Sequence, residues 1–245
     1  MIDLDQAAAA LDGRSPEAVL EWAYCNFRRV AIVASFQAES SVLIQMAASI
    51  VERPEVVTLD TGRLPEETFE VVDRIRQRYP IRLHLQAPDS LEVTEMVAVG
   101  GPNLFRRSVE ERHRCCEVRK VRPLARALAG FDAWVTGLRR DQSETRRHTP
   151  VVQTDHAHRG IAKLVPLAGW SGDQVWAYIR EHDLAYHSLY DHGYRSIGCA
   201  PCTRAVGPDE DERAGRWWWE GSTVKECGLH WNQTGPAAPA GSFNR

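Results

Sequence analysis

Six cysteines in a chain of 245 residues set the chemistry to be explained. Four form two local pairs. Cys115 and Cys116 are adjacent, and Cys199 and Cys202 are spaced C-x-x-C within IGCAPC. Four thiolates suit a four-coordinate soft-metal site. A C-x-x-C turn can place two sulfurs on one metal or one cluster. Neighbouring side chains on a helix or strand diverge, so one small ion is hard to chelate with both members of a tandem pair. A 4Fe-4S cube tolerates that divergence, because each thiolate binds a different iron; this favours a cluster over zinc. The competing reading is four unrelated buried cysteines, or a redox C-x-x-C with two bystanders. Cys227 stands apart in KECGLH. A cysteine in such a Gly-containing segment can reach a substrate and then a partner, and it acts as the thiolate. Lys225 and His230 would favour that thiolate, and Glu226 would oppose it. The alternative is a stray surface cysteine or an extra metal ligand. Cys25, in WAYCNF, reads as a small buried residue on a helix packing face.

Other residues could handle an anion. Ser35-Phe36-Gln37-Ala38-Glu39-Ser40-Ser41 follows a strand-like run and opens a helical one, where backbone N–H groups and the helix dipole bind anions. Leu59-Asp60-Thr61-Gly62-Arg63 and Gly137 to Arg146 (GLRRDQSETR) also sit at the ends of strand candidates, where open α/β sheets take ligands. Guanidinium groups there, Arg139 and Arg146 among them, can fork onto phosphate or sulfate. Arg213 and Arg216 are three apart and would share a face on a helical turn. Each of these arginines could equally be a solvated surface charge. Net charge is −3, from 30 basic and 33 acidic residues, but Leu104 to His148 holds eleven Arg and one Lys against six acidic residues. That stretch suits a pocket for a small polyanion or a solvated basic face.

These residues need elements to hold them. Val30–Ala34, Val56–Leu59, Ile81–Leu85 and Ala133–Thr136 read as strands. Ser40–Val51, Pro65–Tyr79, a run from about Glu117 to Leu128, and Trp170–His182 capped by Ser171 read as helices. Strands alternating with helices predict an α/β fold with a mainly parallel sheet and helices on both faces. Residues 1–206 would form the nucleotide-binding and metal domain, 207–231 a mobile C-terminal catalytic segment, and 232–245 a disordered tail. Core packing is the expected role of Trp217, Trp218 and Trp219.

The ordered set SFQAES, LDTGR, CCEVRK, GLRRDQSETR, IGCAPCTRAV, DERAGRWWWE and KECGLH resembles the assimilatory adenosine 5′-phosphosulfate (APS) reductases, close relatives of the PAPS reductases, from about Val30 to His230. The resemblance implies an adenine-nucleotide α-hydrolase-like fold. It implies that Cys227 is the nucleophile and that Cys115, Cys116, Cys199 and Cys202 hold a 4Fe-4S cluster. It implies that Lys120 links cluster and substrate and that Arg213 and Arg216 contact the phosphosulfate. The nucleotide would be surrounded by Ser35, Phe36, Gln37 and Glu39, by Leu59, Thr61 and Gly62, and by Arg139 and Arg146, with His230 close by. Gln37 and Ser40 depart from the SFGAED usual in the family. The implied reaction is thiol-dependent reduction of APS to sulfite and AMP through a thiosulfonate on Cys227, in sulfate assimilation. Thioredoxin or glutaredoxin would act as external reductant, with the cluster in a positional and electrostatic role.

Rival readings are a PAPS or dual-specific reductase, a tRNA-thiolation enzyme and a zinc-binding interaction module. The balanced charge and lack of an RNA-binding appendage count against the tRNA enzyme. The N-terminus lacks a basic start followed by an apolar run, and no segment reads as a membrane span, so the expected location is the cytoplasm. Oligomeric state is left open.

Overall fold

The structure is a computed structural model that describes residues 2–221, 226 and 228–229. Its centre is a six-stranded sheet in the order β3-β2-β1-β4-β6-β5. The strands are β1 (Val30–Val33), β2 (Glu55–Leu59), β3 (Arg82–Gln86), β4 (Ala133–Thr136), β5 (Val152–Asp155) and β6 (Ile161–Leu164). All neighbours pair in parallel except β5, which runs antiparallel to β6 at the edge. The sequence VAIV is apolar throughout because β1 is central and covered on both faces. Val30 and Ile32 enter one core with α2 (Pro16–Asn26), α3 (Ala38–Ile50) and α8 (Gly172–Glu181). Ala31, between them, enters another with Val57, Trp134 and the Leu124 and Leu128 side chains of α7 (Arg122–Leu128). The period-2 alternation of a strand separates the two sets.

Helix α4 (Glu66–Arg78) buries Thr68, Val71, Val72 and Ile75 on one stripe. Helix α8 starts at Ser171 with a capping box: the serine hydroxyl accepts from Gln174 N–H, and the Gln174 side chain accepts from Ser171 N–H. Two N-terminal helices, α1 (Leu4–Leu11) and α2, and α5 (Ser90–Gly100) complete the regular structure with α6 (Val109–Cys116). Among the described residues no helix is long and apolar enough to cross a membrane.

Two readings of the sequence are corrected here. Cys25 is exposed, not buried. Helix α2 packs through Val19, Leu20 and Ala23, and Cys25 lies off that stripe. The helix carrying the tandem cysteines begins at Val109, not near Glu117, and runs through a π-helical turn at Glu117–Val121 into α7. Such a turn re-aims side chains within an otherwise regular helix.

Candidate active site

Order 3-2-1-4 means that the chain leaves β1 toward β2 and returns to β4 on its other side, which makes the β1–β4 boundary a switch point. A cavity of about 160 Å³ opens there, at the carboxyl ends of the strands. After β1, Phe36 takes a left-handed backbone (φ 55°), uncommon for a bulky residue. Its ring turns wholly into the core, while Ser35 and Gln37 line the cavity. Phe36 therefore shapes this loop from behind. Gln37 ties the loop together: its amide donates to Ser35 Oγ (3.0 Å) and its carbonyl accepts from Ile197 N–H (2.7 Å), one residue before Gly198 and two before Cys199.

The loop after β2 clamps the C-x-x-C segment. Thr61 Oγ1 lies 3.2 Å from Cys199 Sγ, and Arg63 carbonyl accepts from Ala200 N–H at 2.8 Å. Gly62 adopts φ +67° with its N–H on Asp60 Oδ1 (2.8 Å), a conformation that a side chain resists. The Thr61 carbonyl accepts from Arg119 Nη1 at 2.7 Å. Leu59 and Thr61 line the cavity, whereas Gly62 serves the turn.

Lys120, Arg146, Arg213 and Arg216 supply the cations of the cavity wall. Lys120 comes from the π turn. Arg213 and Arg216 share a wall without a helix. A turn between them (Arg216 N–H to Arg213 carbonyl, 2.9 Å) precedes a bridge that pairs Arg216 with Thr203. Arg139 is placed differently. Its buried guanidinium is held by Glu39 (2.9 Å), Glu212 (3.1 Å) and Asp141, behind the lining. Burial opposes ionisation of Glu212 and, with Glu39 nearby, outweighs Arg139, so its carboxyl sits above the ordinary range.

Cys115, Cys116, Cys199 and Cys202 are all buried and share one apolar cluster with Phe105 and Trp217. The Cys199 environment is unusual for a buried thiol. Burial disfavours its thiolate, but Lys120, the Thr61 hydroxyl and Arg216 more than offset this, and the pKa falls. Burial and the charge of Cys199 push Cys202 up to about 11. Arg112 Nη2, Arg119 Nε, Arg216 Nε and Trp217 Nε1 are buried donors with no hydrogen-bond partner among the described residues. All four residues line the small cavity that the cysteines line. Trp217, at φ 44°, has two guanidinium groups packed on its ring, Arg112 at 4.4 Å and Arg216 at 4.7 Å from its centre. Four soft thiols ringed by cations and unmatched donors fit a bulky anionic group that offers many acceptors, as an iron–sulfur cluster with four thiolates does. Among the described residues no three His, Cys, Asp or Glu side chains form a site for a single ion.

Cys227 and His230 lie outside the described residues. Their neighbour Glu226 is described and buried; burial opposes its charge, but Arg213 and Arg146 hold its carboxyl below the ordinary range. Sequence reasoning passed over Glu226 as a cavity residue, and over Glu212 and Arg112. Only their adjacency to the cysteine and tryptophan motifs hinted at a role. Trp217 packs in the core as expected and also lines both cavities. Of the three tryptophans, Trp217 is buried and Trp218 exposed; Trp219 leans on Phe105 (5.9 Å).

A mainly parallel sheet with a cation-lined cavity at its switch point, flanked by a thiol quartet, defines an α/β protein of the nucleotide-binding fold class. Residues 29–205 match the family model of the phosphoadenosine phosphosulfate reductase domain, and the chain belongs to that family. It is 46% identical over 211 residues to adenosine 5′-phosphosulfate reductase of Allochromatium vinosum, covering 86% of this chain and 82% of that protein. The Burkholderia cepacia protein of the same name is 48% identical over 202 residues, covering 82% of this chain and 80% of its own. A crystal structure of PAPS reductase from Candida auris, a phosphate complex, superposes with a TM-score of 0.70 at 28% identity, covering 83% of this chain and 96% of that one.

Proposed function

We propose that the chain reduces adenosine 5′-phosphosulfate to sulfite and AMP, in sulfate assimilation. The observation that carries this reading is that Lys120 and Arg216 line both cavities, the one at the strand ends and the one holding the four thiols. A phosphosulfate in the first would meet the cations that lower the pKa of Cys199 in the second.

In the proposed reaction Cys227 thiolate attacks the sulfate sulfur. An S–S bond forms, the S–O bond to the phosphate breaks, and AMP leaves with the electron pair. Lys120, Arg213 and Arg216 neutralise the charge that gathers on the sulfate and the departing phosphate. A thiolate of thioredoxin or glutaredoxin then attacks Cys227 Sγ, and sulfite leaves with its electron pair. The partner's second thiol resolves the mixed disulfide, so one dithiol supplies two electrons. Cys115, Cys116, Cys199 and Cys202 would hold a 4Fe-4S cluster, which would supply a fixed anionic group near Lys120 and Arg216.

Intact-protein mass after anaerobic incubation without reductant tests the reading. A gain of one sulfonate from APS, mapped to Cys227 and released by thioredoxin, is expected. A gain from PAPS alone would reassign the substrate, as the family's name allows. No adduct from either nucleotide, in protein that carries iron, would refute the reaction.

A further inference from the structure

The chain places one of its own carboxylates on Arg213, a cation that the proposed function assigns to substrate, and on Arg146, which lines the same cavity. Glu226 Oε1 accepts from Arg146 Nε at 3.0 Å and Oε2 from Arg146 Nη2 at 3.0 Å. Arg213 Nη2 adds a contact at 3.4 Å, and the Thr145 hydroxyl another at 3.4 Å. The paired approach of Arg146 is the fork that guanidinium groups also offer to sulfate and phosphate. One fork cannot serve two anions at once. Glu39 and Glu212 line the same cavity, so a substrate anion added beside a seated Glu226 would enter a cavity that already holds three acidic side chains.

Glu226 is also held from behind. Its backbone carbonyl accepts from Arg112 Nη1 at 2.6 Å. Arg112 has no exposed surface and donates through Nε to Glu220 at 2.7 Å. It projects from α6 one turn before Cys115 and Cys116. This second hold is on the main chain, so an anion arriving at Arg146 and Arg213 does not compete with it. The side chain can swing away while the backbone stays tethered beside the thiol quartet.

We infer that Glu226 is an internal competitor and positioning residue. Its carboxylate fills the Arg146–Arg213 cradle when no substrate is present, and the substrate's sulfate or phosphate group binds by displacing it. This rests on the functional reading that the cradle takes the substrate's anion.

Calorimetric titration of the full-length, iron-loaded protein with AMP and with inorganic sulfate separates the two claims. E226Q keeps the shape and removes the competing charge. Its affinity for either probe should rise about tenfold, a change of about 1.4 kcal/mol, while R213A should weaken both probes. If R213A binds more weakly but E226Q binds no more tightly than wild type, the cradle reading stands and the competitor is overturned. If R213A binds as wild type does, the cradle does not take the anion and both fall.

Discussion

Gly198 to Ala is the smallest change that should disable this site, and its magnitude follows from one close approach. A Cβ at Gly198 would lie 2.6 Å from Arg216 Cζ and 2.9 Å from Nη1. Real side chains do not tolerate contacts under 3 Å, so the guanidinium must move. It has little room. Trp217 stacks on it at 4.7 Å, and Nη1 donates to Ile197 carbonyl at 3.2 Å. The clash involves a side-chain end rather than backbone, so the fold should yield cheaply, by about 1–3 kcal/mol. That corresponds to a melting shift of roughly 2–4 °C per kcal/mol in a chain of this size. The functional cost should be larger. A displacement of about 1 Å in a positioning cation can cost about a hundredfold in rate, or about 2.7 kcal/mol in the barrier.

The assay is kcat/KM for sulfite release from APS with saturating thioredoxin, with iron content measured beside it. G198A should lose about a hundredfold and still hold its iron. R216A should lose a similar factor. The double variant should be little worse than either, because both act through one guanidinium and coupled sites are not additive. A stable G198A within threefold of wild type, or fully additive losses in the double variant, would refute the account of why glycine precedes Cys199.

Three further outcomes are expected. R139A leaves the buried Glu39 and the half-buried Glu212 without their shared cation; urea unfolding should show a loss of about 3 kcal/mol, the low end for a broken buried pair, and a loss under 1 kcal/mol would contradict the assigned structural role. Lys163, buried on β6 over the Trp134 ring, has its pKa lowered by burial from 10.5 to about 8, against the pull of Asp155. Below about 8 both folded and unfolded states carry the charge and the penalty is constant. Between about 8 and 10.5 only the unfolded state holds the proton, so wild-type stability should rise with pH relative to K163M by up to about 3 kcal/mol, and a flat difference across that window would be evidence against the shift. C115S and C199S should lose iron and acid-labile sulfide together, whereas C25S, on an exposed position, should keep both; zinc without iron in the wild-type protein would end the cluster reading.

Much of the sheet was legible because its central strands are buried on both faces and read as unbroken apolar runs. VAIV and AWVT need no period to be recognised. Strand β6 was hidden by Lys163 within IAKL, a cation inside a strand, and β5 by its polar VQTD. Helix α5 was equally opaque: Val93, Met96 and Val97 face the thiol cluster, but the exposed apolar residues Leu91 and Val99 blur that stripe in the sequence. At the site, the cysteine spacing carried the most information, because thiol chemistry allows few alternatives. The arginines carried the least. Nothing in GLRRDQSETR distinguishes Arg139, which neutralises carboxylates behind the cavity, from Arg146, which faces into it. That difference depends on Glu39 and Glu212, which lie 100 and 73 residues away in the chain. Phe36 was misread for a related reason: its loop position follows from sequence, but the positive φ that turns its ring into the core does not.

The two cavities also explain each other energetically. Lys120, Arg119 and Arg216 are buried cations, and burying a charge without an opposite one costs several kcal/mol. Among the carboxylates of the site, Glu39 and Glu212 hold Arg139, and Glu226 pairs with Arg146 and Arg213 and also feels the charge of Arg216. Thiolate at Cys199 is the counter-charge that Lys120 and Arg216 favour. A metal group on the quartet would fix that charge permanently, since ligation requires the deprotonated thiol. On this argument the sulfur site offsets part of the cost of burying Lys120 and Arg216 beside the substrate cavity. Loss of one cysteine ligand should therefore weaken AMP binding as well as iron retention, even though none of the four cysteines lines the nucleotide cavity.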